Sequence, residues 1–240
     1  MRRIFLQNFT KNLNEYNLSQ THREFHHIKN VLRAKPGDLF EVFNGLGLTG
    51  VAEIVKISSN NIKLIIKSSE QKEIRFSKVN IAIPVIKHNP YNFILKSLIQ
   101  LNINKIFPYI SEYSIAKNMP KNKFEKWNNI IIEASKQSGN NYLIPIEKLY
   151  DFNEILDMKS DLKICFNNSA DKFIKDIQDS VVKAKEILLL IGPEGGFSKF
   201  ELNLLEENFF TIVKLNSNIL RSEVATITAL SIIKFLAGEL

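Results

Sequence analysis

The sequence predicts an α/β fold, a mostly parallel sheet with helices on both faces, preceded by a small antiparallel sheet or barrel. From Val79 onward, short apolar runs alternate with amphipathic stretches, the order that builds βαβ units. Before Lys72, three successive runs alternate apolar and polar residues, separated by Asn44-Gly45 and Ser58-Ser59-Asn60-Asn61. Around Gln71–Lys78 the pattern turns charged and changes period, which divides the chain into domains 1–72 and 73–240.

In the first part, Arg3–Leu6 reads as a short strand and Thr21–Leu32 as a helix with Phe25, Ile28, Val31 and Leu32 on one side. Pro36-Gly37-Asp38 stops it, and strands follow at Leu39–Phe43, Gly50–Ile57 and Asn61–Ser68. Gly45-Leu46-Gly47-Leu48-Thr49-Gly50 has the spacing of a dinucleotide-binding turn. That turn needs a helix behind it, whereas Val51-Ala52-Glu53-Ile54-Val55 continues as a strand, so the segment is a hairpin.

In the second part, strands are predicted at Val79–Ile86, Lys105–Pro108, Leu143–Leu149, Leu162–Phe166, Ile187–Ile191 and Thr211–Leu215. Helices are predicted at Tyr91–Leu101, Lys121–Ser138, Phe152–Met158, Phe173–Lys185, Ser198–Asn208 and Glu223–Leu236.

The 240 residues are 45% hydrophobic, enough for a sizeable core. No apolar run is long enough to span a bilayer, and Met-Arg-Arg-Ile-Phe does not open a secretory signal. The single Cys165 falls in an apolar strand, which fits a buried thiol and a reducing cytoplasm. The formal net charge is +7, and it is uneven. Residues 1–72 carry 11 Lys+Arg against 6 Asp+Glu, whereas 73–240 carry 21 against 19, so the first domain is where a polyanion would be gripped. Solubility alone is the rival explanation. His22, His26 and His27 form no metal-ligand set, because neither a cysteine nor a carboxylate array completes them.

Two loops are candidates for chemistry. Ile187–Ile191 is continuously apolar, as a strand buried on both faces must be, and Gly192-Pro193-Glu194-Gly195-Gly196-Phe197-Ser198 follows at its carboxyl end, where open α/β sheets bind ligands. Ser198 and Glu201 have capping-box spacing. The second loop, Leu215–Glu223, also lies between a strand and a helix and should leave the sheet on the same edge. Within it Arg221 can pair with a phosphate or a nucleobase oxygen, and Glu223 can cap the last helix; an internal ion pair and a helix-dipole contact are their plain structural alternatives.

Taken together, Ile191–Ser198 with Glu201, and Asn218-Ile219-Leu220-Arg221-Ser222-Glu223, resemble the RsmE family, SPOUT-class methyltransferases of uridine N3 in 16S ribosomal RNA. His26-His27-Ile28-Lys29-Asn30-Val31-Leu32-Arg33 with Pro36-Gly37-Asp38, Lys96, and Glu133–Gly139 extend the likeness over the whole chain. The resemblance implies a PUA-like RNA-binding barrel in front, a trefoil-knotted SPOUT domain behind, S-adenosyl-L-methionine as cofactor and a homodimer. It implies a cofactor pocket of Phe166, Asn167, Ile191, Gly192, Pro193, Gly195, Gly196, Leu215, Asn216, Ile219 and Leu220. No P-loop is present, which suits a cofactor without phosphate. Arg221 would stabilise charge on the uracil oxygens, with Glu194 or Glu223 as orienting group or proton acceptor. Arg2, Arg3, Arg23, Lys29, Arg33 and Lys35 would contact RNA phosphates of the small subunit.

The chain departs from the family pattern in placing Gln100-Leu101-Asn102 where Glu-Leu-Gly is usual, and Asn140, Asn216, Asn218 and Val224 where Arg, Gly, Arg and Thr are usual. Two other functions stay open at this point: a SPOUT methyltransferase acting on another RNA, and a non-catalytic RNA-binding protein that has kept the fold.

Overall fold

The computed structural model describes residues 1–73, 77–86, 89–114, 122–215 and 218–240. Contacts divide the chain into two units, Met1–Arg75 with Ile132–Leu143, and Phe76–Ile131 with Ile144–Leu240. A single cut near residue 72 therefore misses a segment that packs with the first unit.

The first unit holds strands β1 (Arg2–Phe5), β2 (Glu15–Ser19), β3 (Leu39–Phe43), β4 (Leu48–Ile57) and β5 (Asn61–Gln71), in the order β1-β3-β4-β5-β2. Alternate residues point into one core: Phe40 and Val42 from β3, Ala52 and Ile54 from β4, Ile62 and Leu64 from β5. The sheet is mixed rather than antiparallel, because β1 pairs with β3 in parallel while the other pairs are antiparallel. The long connection from β1 to β3, which includes β2 and a helical segment, makes the parallel pairing possible. β2 itself is absent from the sequence prediction, since Leu18 is its single buried residue and no alternation marks it.

The helix predicted at Thr21–Leu32 is only α1 (Arg23–His26), running into a π-helical turn over His27–Val31. The dinucleotide-like glycines form the predicted hairpin. The Asn44 side-chain oxygen accepts from the Leu46 and Leu48 amides at 2.8 and 3.2 Å, and Leu48–Ile57 is strand. At Gly47 (φ +87°) a Cβ would run into the Tyr142 hydroxyl, so a side chain has no room. Helix α3 (Lys123–Ser138) ends in this unit, where the Arg3 guanidinium donates to the Ser135 carbonyl at 2.9 Å and the Asn140 carbonyl at 3.3 Å. A cation thus satisfies the helix's carboxyl end.

The second unit holds β6 (Val79–Pro84), β7 (Ile106–Ile110), β8 (Tyr150–Asp151), β9 (Leu162–Phe166), β10 (Lys172–Phe173), β11 (Ile187–Ile191) and β12 (Phe210–Lys214). They form one parallel sheet in the order β10-β12-β9-β11-β6-β7-β8. β11 is central and every residue of it is buried, as its unbroken apolar run requires. Helices α4 (Phe152–Leu156) and α6 (Lys199–Glu207) pack on β7 and β12, whereas α7 (Ser222–Leu236) packs on α2 (Asn89–Gln100), α5 (Gln178–Lys183) and β11.

Two predicted elements differ. The strand expected at Leu143–Leu149 is reduced to a bridge between Ile106 and Ile146 followed by two-residue β8; Pro145 has no amide hydrogen for a ladder. The helix expected at Phe173–Lys185 breaks into β10, a 3-10 turn over Ile174–Ile177 and α5.

Candidate active site

Strand register sets the site. Ile191 of β11 pairs with Phe166 of β9, and Phe166 pairs with Val213 of β12. Three neighbouring strands therefore end level, and the loops that follow them leave from one edge. They enclose a cavity of about 780 Å³. Phe166, Asn167, Ile191, Gly192, Pro193, Glu194, Gly195, Gly196, Leu215, Ile219, Leu220, Arg221 and Glu223 all line it. Asn216 lies outside the described residues. Asn168, Ser169, Lys214 and Ser222 also line the cavity without having been singled out from the sequence. Asn168-Ser169 follow a strand end just as the glycine loop does, and the same rule would have found them.

The glycine loop is shaped from both sides. Gly196 takes φ +71° and its amide donates to the Pro193 carbonyl at 2.9 Å, a tight turn that an L-residue resists. At Gly192 the constraint is space, because a Cβ would stand 2.9 Å from the buried Phe197 ring. The capping box forms: the Glu201 amide donates to Ser198 Oγ at 3.1 Å, and the Ser198 amide to Glu201 Oε2 at 2.9 Å. Glu201 Oε1 accepts from the Glu112 amide at 2.9 Å, tying the glycine loop to the segment after β7. Beneath it, the Tyr109 hydroxyl donates to the Ile191 carbonyl at 2.6 Å. Burial pushes the Tyr109 hydroxyl well above its ordinary pKa, so it stays a donor.

The loop after β9 is held by Asn167, whose side-chain oxygen accepts from the Ser169 amide at 2.8 Å and hydroxyl at 2.6 Å. In the loop after β12, Arg221 is the N-cap residue of α7, and its carbonyl accepts from the Ala225 amide at 2.8 Å. Its guanidinium is exposed and, among the described residues, has no ion-pair partner. Glu223 does not cap α7 through its side chain; it sits in the first turn, where a carboxylate favours the helix dipole. The Ser222 hydroxyl is buried in the cavity wall and, among the described residues, has no hydrogen-bond partner.

The basic residues separate into two groups. Arg2, Arg33 and Lys35 line a cavity of about 400 Å³ in the first unit. Arg3 is engaged inside that unit: besides capping α3 it donates to Asn141 Oδ1 and pairs with Glu41 at 3.1 Å, with 7% of its side chain exposed. That corrects its reading as a phosphate contact. Arg23 pairs with Glu133 at 2.9 Å, and Lys29 Nζ donates to the Ser58 and Ser59 carbonyls at 2.9 and 3.3 Å. These two cations already have protein acceptors.

Among the described residues no three His, Cys, Asp or Glu side chains gather to hold a metal, and no helix is long and apolar enough to cross a membrane. His22 uses its Nδ1 to accept from the Glu24 amide at 3.2 Å.

The RNA methyltransferase domain family matches residues 50–234, and the RNA methyltransferase PUA domain family matches residues 21–67. The ribosomal RNA small subunit methyltransferase E of Buchnera aphidicola subsp. Schizaphis graminum is 30% identical, over 99% of this chain and 97% of its own. The chain belongs to the ribosomal RNA small subunit methyltransferase E family. The Rickettsia conorii member of that family is likewise 30% identical, over 99% of this chain and 96% of its own. A putative methyltransferase from Legionella pneumophila, solved in complex with S-adenosylmethionine, superposes with a TM-score of 0.89 at 27% identity, covering 98% of this chain and 97% of that one. Methyltransferase E membership bears out the expected class: a SPOUT-type α/β domain with a parallel sheet, preceded by a PUA-like domain.

Proposed function

We propose that this protein transfers a methyl group from S-adenosyl-L-methionine to N3 of one uridine in 16S ribosomal RNA of the small subunit, in the cytoplasm. The observation that carries the reading is the meeting of the Gly192–Gly196 loop and the Arg221 loop in one cavity at the carboxyl edge of a parallel sheet. The cavity fits the cofactor in chemistry. Its walls are largely apolar side chains and glycine backbone, and the buried Ser222 hydroxyl offers a polar group that no described residue satisfies. Ile191, Gly192, Pro193, Gly195 and Gly196 would hold it on one side, Leu215, Ile219 and Leu220 on the other, with Phe166 and Asn167 closing the third. When bound, the cofactor supplies an activated sulfonium methyl for direct transfer.

The protein's own work is orientation and charge. Uracil N3 must lose its imide proton before it becomes a nucleophile, which leaves negative charge shared with O2 and O4. Arg221, exposed and without an ion-pair partner among the described residues, stabilises that charge. Glu194 and Glu223 line the same cavity and are the groups able to orient the base or take its proton. N3 lies on the pairing edge, so the uridine enters unpaired or taken out of its stack. The first unit, with its excess of cations, grips the RNA backbone. The reading includes a homodimer, supported by the exposed apolar residues of α7, Val224 at 43% and Phe235 at 69%.

Calorimetric titration with S-adenosylmethionine, followed by incubation with undermethylated small subunits and labelled cofactor, tests the reading. Saturable binding and incorporation of one methyl group per subunit are expected; absence of cofactor binding would favour an RNA-binding protein that has lost catalysis.

A further inference from the structure

The cavity of the first unit combines three features that the catalytic reading does not use. Arg2, Arg33 and Lys35 open onto it, Leu39 and Phe40 form part of its wall, and Asp38 is its carboxylate among the described lining residues. Asp38 Oδ2 already accepts from the Lys35 amide at 2.8 Å, so cations dominate. Leu39 is half exposed on β3, an apolar surface beside the charges.

The backbone adds the decisive feature. The π-helical turn closes with the Ala34 amide donating to the Ile28 carbonyl at 3.1 Å, and Arg33, just before Ala34, takes φ +48°. Glycine ordinarily occupies such a left-handed closing position, because a side chain is unfavourable there. The Arg33 side chain stabilises nothing inside the fold: among the described residues it makes no hydrogen bond or ion pair. Strain retained for an unpartnered cation at a cavity mouth points to a ligand.

We propose that this cavity is a subsite for one unpaired RNA nucleotide, with its phosphate on Arg33 and Lys35 and its base against Leu39. Arg2, whose Nη1 donates to the Leu32 carbonyl at 3.3 Å, braces the turn that carries Arg33. The proposal rests on the RNA methyltransferase reading and deepens it. A duplex cannot use the site, since its bases are stacked inward and only its phosphates are offered.

Fluorescence anisotropy of the full chain with a labelled oligouridylate of about eight nucleotides tests it. Arg33→Gly removes the guanidinium while placing the residue suited to φ +48° there, so its thermal midpoint should equal or exceed the native one. Its affinity for the single strand should fall about tenfold and its salt slope by about one. Leu39→Ser should weaken single-strand binding and leave the salt slope unchanged, whereas Lys56→Gln, an equal charge loss on β4, should change affinity by less than about twofold. Three results would overturn the subsite: equal effects of Arg33→Gly and Lys56→Gln, an unlabelled duplex competing as well as the single strand, or no binding by the native chain. Methyl transfer to small subunits by the native chain, measured alongside, tells failure of the subsite from failure of the methyltransferase reading.

Discussion

The Tyr109 hydroxyl lies 2.6 Å from the carbonyl oxygen of Ile191, joining β7 to the last residue of the central strand across intervening β6. This bond fixes the strand end from which the glycine loop departs. Tyr109→Phe leaves that carbonyl unsatisfied, so stability should fall by about 1–3 kcal/mol. Cofactor affinity should drop severalfold, read by thermal unfolding and calorimetry. Since burial raises the Tyr109 pKa, protonation of this group is retained past pH of about 10, and it should add no pH dependence to cofactor binding below that value.

Gly192 and Gly196 should respond differently to a methyl group. At Gly192 the added Cβ meets the buried Phe197 ring at 2.9 Å, and repacking should cost about 1–3 kcal/mol and weaken cofactor binding. Gly196→Ala meets no described residue within 4 Å and is opposed by the φ +71° backbone, a cost of about 1 kcal/mol. Chemical denaturation of the two variants checks the order.

Arg221→Ala should reduce turnover by well over about tenfold while the thermal midpoint stays close to native. Its guanidinium has no ion-pair partner among the described residues, so the fold loses little with it. Parallel kinetics and melting separate these effects; an equal loss of stability would restore Arg221 to a structural role.

A buried lysine supplies a pH-dependent test. Lys234 Nζ donates to Glu239 Oε2 at 2.7 Å, Ser77 Oγ at 3.2 Å and the Asn102 carbonyl at 3.1 Å. Burial would raise the Glu239 carboxyl, but hydrogen bonds from Lys234, Ser77 and the Lys78 amide outweigh it and hold the pKa below the ordinary value. A depressed carboxylate stabilises the fold above its unfolded pKa of about 4.3 and loses that contribution as pH falls through the folded value. Glu239→Ala should therefore cost about 3 kcal/mol at neutral pH, by stranding Lys234, and the gap from native should close in acid. Urea unfolding on both sides of that transition checks it.

The residues that share the candidate cavity were more legible in the sequence than the scaffold around it. β11 announces itself because burial on both faces demands five apolar residues in a row, and the loop rule then locates Gly192–Gly196 and Arg221. β2 gives no such signal with one buried residue in five, and the split of Phe173–Lys185 depends on an edge pairing of Lys172 and Phe173 with β12. Charge alone cannot reveal that Arg3 caps α3, since its acceptors Ser135, Asn140 and Asn141 are far away in sequence. One departure from the family pattern becomes intelligible in three dimensions: Asn102, in the usual place of glycine, takes φ +49°, a conformation asparagine tolerates better than most residues.

The most direct measurement is nucleoside mapping of 16S ribosomal RNA after incubation of undermethylated small subunits with the protein and isotopically labelled S-adenosylmethionine. The label should appear as 3-methyluridine at one position, and Arg221→Ala should abolish most of it. Label on a base carbon or a ribose hydroxyl would contradict the proposed chemistry, as would label spread over many uridines.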